Sequence, residues 1–175
     1  INGSVAPNTG TSTTGKIFTT VWTQGAISTY DLSNFHGDQV DDLRPGHWLA
    51  FAHDKLADLN SKVAAGTAGF IAQGNVYNAL LYKDDQRSLV RNLKTGDGND
   101  TVTGNDADNV LETSAGIDRV SAGDGDDTIV GGPGGDAIDP GRGIDTLRDS
   151  LADMNGDIVY NFGRATTIDI TGSLA

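Results

Sequence analysis

Residues 95–148, written in nines from Thr95, read TGDGNDTVT, GNDADNVLE, TSAGIDRVS, AGDGDDTIV, GGPGGDAID and PGRGIDTLR, and the register holds through six consecutive units. The eighth position is always aliphatic: Val102, Leu111, Val120, Ile129, Ile138 and Leu147. The sixth is Asp100, Asn109, Asp118, Asp127, Asp136 and Asp145. The fourth is Gly98, Gly116, Gly125, Gly134 and Gly143, with Ala107 as the one exception. Three columns agreeing at a fixed period are the signature of a repeat architecture, a stronger signal than any single motif.

Each nonamer reads as a tight glycine turn, an inward carboxylate and a short strand whose middle side chain faces inside. Two nonamers make one coil. Strands 18 residues apart then stack in a parallel sheet, and two such sheets face each other across a core of eighth-position side chains. That core is thin. One buried aliphatic per nonamer contributes about 1.5–3 kcal/mol, whereas ordering the backbone costs about 1–2 kcal/mol per residue. Sixth-position carboxylates in adjacent coils lie roughly 4.8 Å apart, one strand spacing, and repel unless a cation sits between them. Calcium suits the donors. It takes six to eight oxygens, including the carbonyls of a glycine-rich turn, whereas zinc wants His or Cys and magnesium a stricter octahedron.

Composition agrees with this reading. The chain has 175 residues and a net charge of −12, and the charge is concentrated. Residues 1–94 hold eight acids and eight bases, and residues 95–175 hold sixteen acids and four bases. Only Glu112 is Glu, the other 23 acids are Asp, and 15 of the 24 glycines lie in the second part, a turn-forming composition. Such a composition also suits disorder, and the nine-residue period decides against it. The acidity argues against a nucleic-acid partner. With no cysteine, neither disulfides nor thiolate metal sites hold the fold. No apolar run approaches the roughly 20 residues of a membrane-spanning helix, so no membrane insertion is expected.

The nonamer resembles the glycine-rich calcium-binding repeat of RTX proteins, G-G-x-G-x-D-x-U-x. The resemblance implies a parallel β-roll with each ion held between turns one coil apart. In that family the earlier turn gives its second and fourth carbonyls and its Asp, and the later turn its first and third carbonyls and its Asp. On one side the sets become Gly96, Gly98, Asp100 with Thr113, Ala115, Asp118, and Ser114, Gly116, Asp118 with Gly131, Pro133, Asp136. On the other they become Asn105, Ala107, Asn109 with Ala122, Asp124, Asp127, and Gly123, Gly125, Asp127 with Pro140, Arg142, Asp145. About four calcium ions follow. Asn109 lacks the charge and Ala107 the glycine freedom, so the first ion of the second side is expected to be weaker.

The first ninety-four residues look like an ordinary β-rich globular part. TVWTQ (20–24) and STYDLSNF (28–35) read as strands around a turn at Gly25. In WLAFAHDKLADLNSKV (48–63), Leu49, Phe51, Leu56, Leu59 and Val63 allow one apolar stripe, so one short helix is expected there. NVYNALLY (75–82) fits either state. Trp22, Tyr30, Phe35, Trp48, Phe51 and Tyr77 are expected to pack this half.

From about Val21 onward the chain also resembles the non-catalytic C-terminal region of serralysin-type secreted zinc metalloproteases. TVWTQGAISTYDLSNF is similar to the family's strand pair, DQVDDLRPGHW to its next strand and turn, GNVYNALLYKDDQRSLVRNLKTGDGND to its approach to the first calcium turn, and DIVYNF and TTIDITGSL to its closing strands. Where the family often carries a Glu ligand just before the first repeat, this chain has Arg91, so no ion is expected there. The H-E-x-x-H zinc motif of a serralysin active site is missing. The three histidines, His36, His47 and His53, have no adjacent Glu and no partner at i+4, and are expected to be surface or loop residues. Neither zinc nor catalysis is expected of this chain.

The expected architecture is mainly β. Residues 1–94 form a β-rich part packing on the roll, 95–148 the calcium-binding repeats and 149–175 closing strands. The resemblance implies a secreted, extracellular protein that leaves the cell through a type I secretion apparatus and folds on meeting calcium. Its partners would be calcium, that apparatus and its own N-terminal catalytic domain, a zinc metalloendopeptidase. A chain beginning at Ile1 rather than Met is expected to be a fragment or processed product, and one that stops at Thr171-Gly-Ser-Leu-Ala, short of the family's acidic-then-apolar signal, is expected to be truncated at that end too. The rival reading is an extracellular carbohydrate- or surface-binding module attached to a secreted enzyme. Against it, the bases Arg119, Arg142 and Arg148 are few and scattered.

Overall fold

The computed structural model describes residues 19–21, 23, 27–56, 71–163 and 165–172. Its first strands are β1 (Thr19–Val21), β2 (Thr29–Asp31), β3 (Val40–Asp42), β4 (Trp48–Ala50), β5 (Val76–Asn78) and β6 (Asn92–Lys94). The repeats supply β7 (Thr101–Thr103), β8 (Val110–Glu112), β9 (Arg119–Ser121), β10 (Thr128–Val130), β11 (Ala137–Asp139) and β12 (Thr146–Ser150). The strands β13 (Ile158–Val159) and β14 (Thr167–Thr171) close the chain.

Successive repeat strands alternate between two sheets, as a coil of two nonamers requires. One sheet has the order β1-β5-β4-β3-β7-β9-β11-β13 and the other β14-β12-β10-β8-β6-β2. Every pairing is parallel except β3 with β4 and β4 with β5. Register follows the repeat: Val102 lies opposite Val120, Leu111 opposite Ile129, and Val120 opposite Ile138. Tyr30 and Leu93 extend the aliphatic row of the second sheet upstream of the repeats. The eighth-position residues are all buried and join Leu43, Leu49, Phe51 and Val76 in one continuous core. Both sheets therefore run unbroken across residue 95.

Two expectations are corrected. Among the described residues the only helical turns are short 3₁₀ segments at His53–Lys55, Tyr82–Asp84 and Gln86–Ser88. The expected helix over 48–63 is not formed in its described part: Trp48–Ala50 is β4, and residues 57–63 lie outside the described residues. The buried side chain of Asn75 explains this. Its Oδ1 accepts the Phe51 and Ala52 N–H groups, both at 3.0 Å, so these two donors are taken away from any helical ladder, and its Nδ2 donates at 3.1 Å to the Ala52 carbonyl, which carries no more than the short 3₁₀ turn through Lys55. The strands expected on either side of Gly25 do form, but not as a pair. β1 joins β5 and β2 joins β6, in opposite sheets, because the winding sends successive strands to opposite faces. Gly25 and Trp22 lie outside the described residues.

Candidate calcium-binding turns

Between strands the chain turns within six residues, and successive turns stack closely enough to exclude side chains. A Cβ at Gly116 would fall inside van der Waals contact of the Gly98 carbonyl oxygen, and one at Gly134 would meet the Gly116 carbonyl in the same way. Glycine is required at such approaches, and the carbonyls of each turn are gathered on the axis of the stack.

The sixth-position residues face that axis. Asp100, Asn109, Asp118, Asp127, Asp136 and Asp145 are each 1 % exposed. One oxygen of each carboxylate is committed to the backbone one coil earlier. Asp118 Oδ1 accepts the Asp100 N–H and Asp136 Oδ1 the Asp118 N–H, both at 2.8 Å. Asp127 Oδ1 accepts the Asn109 N–H at 2.8 Å and Asp145 Oδ1 the Asp127 N–H at 3.2 Å. The second oxygen is left over: Oδ2 of Asp100, Asp118, Asp127 and Asp136 is buried with no hydrogen-bond partner. Burying an acceptor unpaired is costly, so these four oxygens are the candidate positions for a ligand.

The same burial raises the proton affinity of the row. Loss of hydration pushes Asp118 and Asp127 up to about 7 and Asp136 to about 6, with neighbouring carboxylates adding to the rise, and it also raises Asp100 and Asp145. A bound cation reverses that preference by stabilising the ionised form.

The donors fit calcium: they are oxygens, they come from carbonyls and carboxylates, and they arrive from two turns at once. Among the described residues no three His, Cys, Asp or Glu side chains converge. On the first side the structure stacks the turn of Gly96, Gly98 and Asp100 on that of Thr113, Ser114, Ala115, Gly116 and Asp118, which stacks on that of Gly131, Pro133 and Asp136. On the second it stacks Asn105, Ala107 and Asn109 on Ala122, Gly123, Asp124, Gly125 and Asp127, followed by Pro140, Arg142 and Asp145. Three of the expected carbonyls already accept a neighbouring N–H: Gly123 from Arg142, Pro133 from Gly116 and Arg142 from Gly125, at 2.9, 3.0 and 2.9 Å. Each retains a second lone pair.

Asn109 breaks the pattern. Its Oδ1 accepts the Asn105 N–H at 2.9 Å, and its Nδ2 donates to the Arg91 carbonyl and to Asn105 Oδ1 at 3.1 and 3.2 Å. Its oxygen is already engaged and its amide N–H groups fill the space. The ladder also extends beyond the repeats. Asp157 Oδ1 accepts the Asp136 N–H across 21 residues, and Asp100 Oδ1 accepts the Gln39 N–H across 61. The sequence reading missed Gln39 and Asp157, because insertions stretch the spacing from 18. The signal was local: Asp157-Ile158-Val159 repeats the sixth-to-eighth pattern. Two histidines are paired at the surface, His36 with Asp97 and His47 Nδ1 with Asp42 Oδ2 at 3.0 Å.

Residues 92–120 and 112–147 match the family described as RTX calcium-binding nonapeptide repeat (4 copies). Serralysin of Proteus mirabilis is 33 % identical over 103 residues, covering 59 % of this chain and 16 % of the serralysin. The chain thus matches a small part of that relative's length. Fold, turn geometry and comparison together identify residues 92–147 as RTX calcium-binding repeats wound into a β-roll, in a chain similar to the serralysin-type RTX region.

Proposed function

We propose that the chain is the non-catalytic, calcium-folded β-roll region of a serralysin-like protein exported by a type I secretion apparatus. The observation that carries this reading is the row of buried carboxylate oxygens without partners, aligned one coil apart on the axis of stacked carbonyls. About four ions would occupy the turns, in the ligand sets carried over from the repeat, with the one beside Asn109 the weakest. In this reading residues 95–148 are the ion-binding coil, 1–94 the β-rich part packed against it and 149–175 the closing strands.

The physics gives export a direction. At low calcium the acidic turns repel and the aliphatic core is too thin to hold the coil, so the chain stays expanded, as passage through a channel requires. Millimolar external calcium matches the roughly 10⁻⁴–10⁻³ M affinities of extracellular modules, and the binding energy then appears as folding energy. The similarity to serralysin supports a parent that is a secreted zinc metalloendopeptidase with its catalytic domain ahead of this region. The test is the hydrodynamic radius of the purified chain by light scattering. An expanded chain in chelator that collapses at millimolar calcium, and not at equal magnesium, is expected. A radius independent of calcium would contradict the proposal.

A further inference from the structure

The turn ahead of the first repeat stacks on it as the repeats stack on one another. β3 pairs in parallel with β7, which places Gln39 against Asp100 and Asp41 against Val102. Residues 34–39, Asn-Phe-His-Gly-Asp-Gln, then lie over residues 95–100 position for position. The correspondence extends to atoms. A Cβ at Gly98 would come within 2.5 Å of the Gly37 carbonyl oxygen, and one at Gly96 would meet the Phe35 carbonyl, as those of later turns meet the turn before. The Asn99 N–H donates to Asp38 Oδ1 at 2.9 Å, as the Ile117 N–H donates to Asn99 Oδ1 at 2.9 Å one coil on. The Gln39 N–H donates to Asp100 Oδ1 at 2.8 Å, the distance found between Asp100 and Asp118.

Three side chains at this junction carry buried oxygens without partners. They are Gln39 Oε1, both oxygens of Asp41, and Asp100 Oδ2, on residues each 1 % exposed. Asp41 is the anomaly. It occupies the place in the inner row that Val102, Val120 and Ile138 fill in the following coils, where packing calls for an aliphatic side chain. Its carboxylate sits two residues from Gln39 on the same inward face, within the electrostatic reach of Asp100. Neither oxygen makes a hydrogen bond of good geometry, and only the nearby Ala50 N–H favours the charge, so this buried carboxylate is poorly compensated. The register puts it beside a turn pair of the ion-binding type, and the donors are again hard oxygens.

We propose that the head of the roll carries a further calcium site, formed between the turns of residues 35–39 and 95–100, in which Gln39, Asp41 and Asp100 supply the side-chain oxygens and the Phe35 and Gly37 carbonyls complete the approach. Gln39 there replaces the usual sixth-position carboxylate, and Asp41 restores the missing charge. The Gln39 amide, whose Nε2 now donates to the Phe35 carbonyl at 3.1 Å, turns its oxygen to the ion. This inference rests on the reading that the repeats bind calcium.

The test is a crystal of the calcium-loaded full chain examined by calcium anomalous scattering, with bound ions counted by equilibrium dialysis and titration calorimetry for the wild type, Asp41→Asn and Gln39→Glu. The expected results are an anomalous peak between the two turns, one ion fewer in Asp41→Asn, and several-fold tighter binding of one ion in Gln39→Glu, because added ligand charge raises affinity. Gln39→Glu removes no packing contact and keeps the comparison available if Asp41→Asn fails to fold. Filled repeat sites with no peak at the head, and ion counts and affinities unchanged in both variants, would overturn this inference while leaving the repeats intact as calcium sites. A chain that binds no calcium would overturn both.

Discussion

Asp118 belongs to two turns at once. Its N–H donates to Asp136 Oδ1, its own Oδ1 accepts the Asp100 N–H, and its Oδ2 is buried without a partner. In the proposed ligand sets it serves the ion on either side. Asp118→Asn keeps the side-chain oxygen that accepts the Asp100 N–H and removes the charge. Calorimetry is expected to show two ions weakened by about tenfold or more. The same substitution removes a carboxylate that burial disfavours, so the variant in chelator should show no less β signal than the wild type. Unchanged calcium affinity would mean that Asp118 is only a turn cap.

At the scale of the turn and strand, close backbone stacking sets what the sequence can change. Gly125 has φ +122°, and a Cβ there would lie 2.7 Å from the Ala107 carbonyl carbon, whereas a Cβ at Gly37 would meet nothing within 4 Å. Gly125→Ala is expected to cost about 2–4 kcal/mol in denaturant melts at saturating calcium, and Gly37→Ala less than about 0.5 kcal/mol. Equal costs would contradict the stacking. Such elements are legible from sequence where the spacing is constant: the six nonamers showed the strands, their facing, the inner aliphatic row and the aligned carboxylates. Legibility ends where the spacing does. Gln39 and Asp100 are neighbours across a 61-residue excursion that includes β4 and β5, so no period links them. The short apolar run at Trp48-Leu49-Ala50 fits a helix or a strand equally. Its outcome is decided by pairing with β3 and β5 and by the Asn75 side chain, all contacts distant in sequence.

The whole molecule is a coil whose charge and core pull in opposite directions, and pH should expose this. Asp118 and Asp127 at about 7 and Asp136 at about 6 lie above the ordinary 3.8 because burial disfavours their charge. Groups raised in the folded state bind protons more tightly there than in the unfolded chain. Their stabilisation is complete below about pH 4 and is lost as pH rises through about 6–7. In chelator, whatever β signal the chain keeps at acid pH should therefore fall between about pH 5 and 8. With calcium the slope reverses, because the ion needs ionised ligands and its binding releases protons. Identical pH slopes of the β signal with and without calcium across that range would show that the buried row is not where the ion binds. The central claim is that calcium folds this chain, and circular dichroism during a calcium titration tests it most directly, starting in chelator and rising to about 10 mM with magnesium as control. The account predicts a cooperative gain of β signal and melting temperature with calcium alone. A chain already folded in chelator and indifferent to calcium would contradict it.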